Sequence, residues 1–146
     1  MEKEIEEFVG SKRFAVVGVS RNPRKFGNTI YRELKNRGYE VYGVNASMSE
    51  IDGDKCYPDL SALKGRVDAA VVCITPDRVE STLRDAAEAQ VRRVWLQQGA
   101  ESANAVKMGQ NLGITIVAGR CILMYAEPVR SFHAFHRFFV RVAGRY

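Results

Sequence analysis

Apolar residues gather along this chain in short dense runs, and between the runs they recur every three or four positions. Residues 14–19 are nearly all apolar, the pattern of a strand buried on both faces of a sheet. Similar runs at 39–44, 69–74, 94–96 and 114–117 predict four more strands. Between the first two, Ile30 and Leu34 stand at helical spacing within 28–37, and Gly38 follows as a C-cap. Thr75, Pro76 and Asp77 open a further helix, with Thr at the N-cap and Pro at the first helical position. Another helix is predicted near 102–112, and an acidic leader at 4–9 forms a short helix with Ile5, Phe8 and Val9 on one side. Strands alternating with helices build parallel β-α-β units with right-handed crossovers. The expected fold class is α/β: a Rossmann-like three-layer α/β/α sandwich around a mostly parallel five-stranded sheet.

Length and composition narrow the classes. At 146 residues the chain fits one domain spanning 1–146, large enough for one proper core. Its 46% apolar and 27% charged residues are ordinary for a soluble globular protein. No run approaches the roughly 18 apolar residues that a membrane span needs. The acidic start Met1, Glu2, Lys3, Glu4 does not resemble a signal peptide, so a cytoplasmic location without membrane partners is expected. Cys56, Cys73 and Cys121 are odd in number and widely spaced, which predicts reduced thiols, and the lack of a C-x-x-C pair leaves no support for structural zinc. A net charge of +5 and a pI near 9.3 favour an anionic partner without choosing its kind. On charge alone that partner could be a nucleic acid, although nothing else in the chain points there.

The position of the cations says more. Gly18 ends the first strand, Ser20, Arg21, Arg24 and Lys25 follow in the loop, and Phe26 and Gly27 lead into a helix. A strand, a polar loop and a helix N-terminus form a phosphate site in outline, since the amides and the helix dipole both favour an anion there. The glycines do not spell G-x-G-x-x-G, because the next one after Gly18 is Gly27. Asn45 also stands after the second strand, where an NAD enzyme wants Asp or Glu for the ribose hydroxyls. In a sheet of this kind ligands lie outside the carboxyl ends of the strands, where the chain places loops at 18–28, 45–49, 75–77 and 97–102. None of the four supplies a catalytic set.

Taken together, the segments 18–28 (GVSRNPRKFGN), 38–45 (GYEVYGVN) and 94–102 (VWLQQGAES), with a looser match at 113–121, resemble the small stand-alone CoA-binding proteins. The fold of that family is similar to the N-terminal CoA-binding domain of the succinyl-CoA synthetase alpha subunit. The resemblance runs from Phe14 to Cys121. It implies that Ser20 to Lys25 hold the pyrophosphate or 3'-phosphate of CoA, with Phe26 and Gly27 closing the turn. It implies further that Val44 and Asn45 border the adenosine, that Ile74, Thr75 and Pro76 line the pocket floor, and that Gln97, Gln98 and Gly99 lie near the pantetheine arm. The plainer readings are an exposed basic turn, a strand end with a helix cap, and surface amides.

Two departures shape the expected function. Asn45-Ala46-Ser47 stands where many relatives have Asn-Pro, and neither His133 nor His136 matches the phosphorylated histidine of the synthetases, whose second domain these 146 residues do not contain. The expectation is therefore binding of CoA or acyl-CoA without catalysis by this chain alone, with no catalytic residue and no metal assigned. Two alternatives stay open: the CoA-binding part of an acyl-CoA ligase or transferase completed by another chain, and an NAD or other adenine-nucleotide binding protein.

Residues 122–146 are expected to add an amphipathic helical extension. Phe132, Phe135, Phe139 and Val142 make an apolar stripe, with Arg130, His133, Arg137 and Arg141 largely opposite. Docking on the domain, or on a second copy to make a homodimer, is the plain expectation. His133 and His136 as metal ligands would need two more donors that the local sequence lacks. For Cys73, at the end of the third strand, a buried inert thiol is the commoner role, although a mixed disulfide with CoA is chemically conceivable.

Overall fold

The computed structural model describes residues 2–127. The aromatic segment beyond it, with its proposed docking face, lies outside the described residues.

The chain opens with helix α1 (Glu2–Val9) and strand β1 (Arg13–Val17), then α2 (Phe26–Asn36) and β2 (Glu40–Val44). A short hairpin, β3 (Glu50–Ile51) and β4 (Asp54–Tyr57), leads through a 3-10 turn at Leu60–Leu63 into β5 (Ala69–Val72). Next come a 3-10 turn at Pro76–Arg78, α3 (Val79–Glu88), β6 (Arg93–Leu96), α4 (Ala103–Asn111), β7 (Thr115–Ala118) and a last 3-10 turn at Ile122–Met124. The sheet has seven strands in the order β3-β4-β2-β1-β5-β6-β7. Every pairing is parallel except β3 with β4.

The α/β class and the mostly parallel sheet are as expected, but seven strands replace the expected five. The two extra strands are the hairpin, whose short segments carry no apolar run. Its turn is nonetheless written in the chain: Asp52 and Gly53 both take positive φ, +50° and +84°, the conformation that an Asp-Gly pair favours between two strands. Helix α3 also starts later than expected. Thr75 precedes a 3-10 turn, and its hydroxyl makes no capping hydrogen bond. Ser102 does cap α4, accepting from the Ala105 amide at 3.1 Å. At the end of α2, Gly38 takes φ +96° and Tyr39 N donates to Leu34 O at 3.1 Å, which closes the helix with its carbonyls satisfied.

Alternation along the strands divides the core between two faces. Ala15, Val17, Val72 and Leu96 pack with Leu60, Leu63 and Leu83 beneath the 3-10 turn and α3. Phe14, Val16, Val71 and Trp95 pack with Phe8, Ile30 and Leu34 beneath α1 and α2. The leader helix is thus part of the core. Phe8 is fully buried, stacked on Phe14 at 5.4 Å between ring centroids and edge-on to Trp95 at 5.2 Å. After β7 the chain crosses the α1/α2 face and is held there by side chains that bind its carbonyls. Trp95 Nε1 donates to Arg120 O at 2.8 Å, Arg37 Nη1 donates to Leu123 O at 2.8 Å and Ala126 O at 2.6 Å, and the Tyr39 hydroxyl donates to Glu127 O at 2.7 Å.

Phe8→Ala should cost about 3–5 kcal/mol in denaturant unfolding, the usual loss for emptying a buried aromatic site. A loss under about 1 kcal/mol would mean that α1 is not integral to the fold.

Candidate functional site

From β1 the chain first builds the sheet toward β2 and the hairpin, then returns to lay β5 on the other side of β1. Strand order therefore reverses between β1 and β5, and a crevice opens above their carboxyl ends, where sheets of this kind bind ligands. Two glycines bring its walls together. A Cβ on Gly18, which has φ +119°, would lie 2.2 Å from the Cys73 carbonyl oxygen, and one on Gly27 would lie 2.3 Å from the Gly18 carbonyl oxygen. The end of β5, the turn after β1 and the first turn of α2 thus touch backbone to backbone.

The loop between these glycines is held by its own polar side chains. Asn28, 3% exposed, clasps Ser20 from both sides: its Oδ1 accepts from Ser20 N at 2.7 Å and its Nδ2 donates to Ser20 O at 2.8 Å. Ser20 Oγ accepts from Asn22 N at 3.1 Å, and Asn22 Oδ1 accepts from Arg24 N at 3.0 Å. Lys25 occupies the N-cap of α2, no side chain caps that helix, and its first turn contains no acid. The positive helix end is left facing the loop. Asn45 ties the second loop to the first, donating from Nδ2 to Val19 O at 2.8 Å and accepting from Ser47 N at 2.7 Å. A carboxylate could not make the first of these bonds, which explains an amide where a dinucleotide enzyme has an acid.

The crevice is a cleft of about 560 Å³, within the size range of small-molecule sites. From the first two loops, Gly18, Ser20, Lys25, Val44 and Asn45 line it. Ile74 and Thr75 line it after β5, and Gln98 and Gly99 after β6. Six of the residues singled out in the sequence are placed elsewhere. Gly27 lies beneath the loop as packing, and Arg24, Phe26 and Pro76 are exposed outside the cleft. Arg21 donates to Ser47 O at 2.5 Å and borders a separate hollow with residues 46–50. Gln97 is 1% exposed, and its Oε1 accepts from Ile122 N at 3.1 Å, fastening the last 3-10 turn to the end of β6.

Sequence reasoning missed the α3 wall. Ser81, Thr82 and Asp85 line the cleft from one side of α3, with Arg78 at its N-cap and Pro58, Asp59 and Leu60 from the neighbouring turn. The α3 residues recur at three- and four-residue spacing, a polar stripe that was legible as a helix face but not as a cleft wall. Burial, together with nearby Asp59 and Glu88, pushes the Asp85 carboxyl up from the ordinary range. Burial and neighbouring Cys121 likewise push the Cys73 thiol up, which disfavours a nucleophilic thiolate there. The cleft can thus offer amides and cations at its mouth and oxygen acceptors on its α3 wall, a set suited to holding a polar ligand.

The sequence profile of the CoA binding domain matches residues 12–127. The chain belongs to this family. As a CoA-binding domain it is similar to the alpha subunit of an ADP-forming acetate–CoA ligase II from Pyrococcus furiosus, with 27% identity over 129 residues. That match covers 81% of this chain but 28% of the subunit. It is 29% identical over 120 residues to YneT, an uncharacterized protein of Bacillus subtilis, covering 82% of this chain and 89% of that one. Among solved structures it is similar to a conserved hypothetical protein from Pyrococcus furiosus, at TM-score 0.74 and 37% identity, covering 77% and 97% of the two chains. It also matches a dinucleotide-forming acetyl-coenzyme A synthetase from Ca. Korarchaeum cryptofilum, solved with phosphate and ADP, at TM-score 0.65 and 30% identity. There the match covers 73% of this chain and 25% of the other. CoA-binding domains thus occur both alone and within larger ligase chains.

Gly27→Ala should destabilise the domain by about 1–3 kcal/mol in urea unfolding, because the new methyl meets backbone rather than a yielding side chain. An unchanged midpoint would show that the contact with Gly18 is not under compression.

Proposed function

We propose that this CoA-binding domain holds CoA or acyl-CoA in the cleft above β1 and β5, and that it does so without catalysing a reaction on its own. The observation that carries this reading is the first loop: a self-braced turn that brings Ser20 and Lys25 to the cleft mouth beside an uncapped helix end. That arrangement suits the pyrophosphate, with Val44 and Asn45 bordering the adenosine and Gln98 and Gly99 beside the pantetheine arm. Arg21 and Arg24, exposed outside the cleft, suit the 3'-phosphate of CoA. NAD is the weaker candidate, since the Asn45 amide is engaged with Val19 O and supplies no carboxylate for a ribose.

A second reading rests on the ligase relatives, of which this chain matches only the CoA-binding-domain portion. On it, the domain hands its CoA to an acyl-CoA ligase or transferase completed by another chain. Turnover that appears only when a candidate partner is added distinguishes the two.

Calorimetric titration should show CoA binding more tightly than NAD, and equal or tighter NAD binding would reject the proposal. Lys25→Ala should weaken CoA by about ten-fold while changing adenosine little, because the lost contact is a charged one to phosphate. Equal losses for both ligands would remove Lys25 from the phosphate site.

A further inference from the structure

The α3 wall of the cleft has a hydrogen-bonding polarity that the first loop lacks. The hydroxyls of Ser81 and Thr82 both donate to Arg78 O, at 3.1 Å and 3.2 Å. A hydroxyl has one proton to give, so each turns only lone pairs toward the cleft. One turn further along the same face stands Asp85, half-buried, whose carboxylate has no hydrogen bond or ion pair to any described residue. From the neighbouring turn, Asp59 spends one carboxylate oxygen on Ala62 N at 3.0 Å and keeps the other. The cations Lys25 and Arg78 lie on exposed stretches at the mouth, and neither reaches these carboxylates within an ion-pair distance. Arg78 to Asp85 spans about 10 Å along the helix, at 1.5 Å per residue. The cleft therefore carries donors and positive charge at Lys25 and Arg78 and a run of acceptors at Ser81, Thr82, Asp85 and Asp59.

A ligand that satisfies both sets carries phosphate for one and a hydrogen-bond donor for the other. We propose that Asp85 accepts a hydrogen bond from the exocyclic amine of adenine, with Ser81, Thr82 and Asp59 completing an acceptor surface that selects adenine over a base bearing a carbonyl in the same place. This rests on the reading of the cleft as the CoA site, keeps the adenosine beside Val44 and Asn45, and specifies which wall its base faces. A base with oxygen at that position would set lone pair against lone pair and leave Asp85 desolvated without a donor, and mismatches of this kind are strongly rejected. Asp85 is in this sense a specificity determinant.

The test is calorimetry of the whole chain with CoA and with its hypoxanthine counterpart, in which a carbonyl oxygen replaces the amine. The wild-type protein should prefer CoA by about ten- to a hundred-fold, the scale of one hydrogen bond to a charged group. Asp85→Ala sits in a helix where alanine is the better helix former, so folding is not at risk. It should bring the two ligands within about three-fold of each other, mainly by losing CoA. Asp85→Asn, which can turn a donor toward the carbonyl, should raise the hypoxanthine analogue relative to CoA. A preference for adenine that survives in Asp85→Ala, or its absence in the wild type, overturns the assignment while leaving CoA binding intact. Failure of the wild type to bind CoA at all would instead remove the reading of the cleft and this inference with it.

Discussion

The carbonyl of Gly18 occupies the space where a side chain on Gly27 would lie, and the carbonyl of Cys73 occupies the space for one on Gly18. Through these contacts three backbone segments stack with no side chain between them, at the point where strand order reverses. The consequences spread outward. Because α2 is seated directly on the turn, the intervening loop cannot sink into the fold and must arch over the crevice. Its backbone groups then need partners of their own, which Ser20, Asn22 and Asn28 supply. A dinucleotide fingerprint reaches a similar closeness with a tighter glycine spacing. Here the same packing is kept while the loop between is lengthened and charged.

That constraint also explains the amide at Asn45. Once the first loop arches outward, Val19 O faces the second loop and needs a donor, and Asn45 Nδ2 provides it. A residue that looked informative mainly for what it is not, a ribose-binding acid, is a brace between the two loops that frame the crevice. Partial burial raises the Asp85 carboxyl and the Cys73 thiol, both of which line the same cleft.

Much of this was legible in the residues. The parallel strands announced themselves as apolar runs because both faces of the sheet are covered, and Gly18, Lys25 and Asn45 were found because strand, loop and helix follow one another in the chain. The hairpin was overlooked because β3 and β4 are too short and polar to carry a period, although Asp52-Gly53 marked its turn. With the hairpin went Asp59, which follows directly from it. Arg78, Ser81, Thr82 and Asp85 were missed for another reason: a polar helix stripe has the same pattern whether it faces solvent or a cleft, and only the neighbouring turn at Leu60–Leu63 decides. Gln97 shows the reverse case, an amide placed beside a ligand by its loop yet committed to holding Ile122 N.

The segment after β7 returns along the α1/α2 face from the carboxyl edge of the sheet toward Arg37 and Tyr39, which lie near the opposite edge. Arg37 and Tyr39 grip it only by main-chain oxygens, those of Leu123, Ala126 and Glu127. Such a clamp reads no side chain and fixes only the path of the backbone, while the buried side chains of Ile122 and Ala126 seal the same segment to the core. The clamped end lies on the far side of the sheet from α3 and at the far edge from the crevice. At its last described residue the chain therefore stands clear of the crevice, on the opposite face of the sheet from the wall that α3 builds.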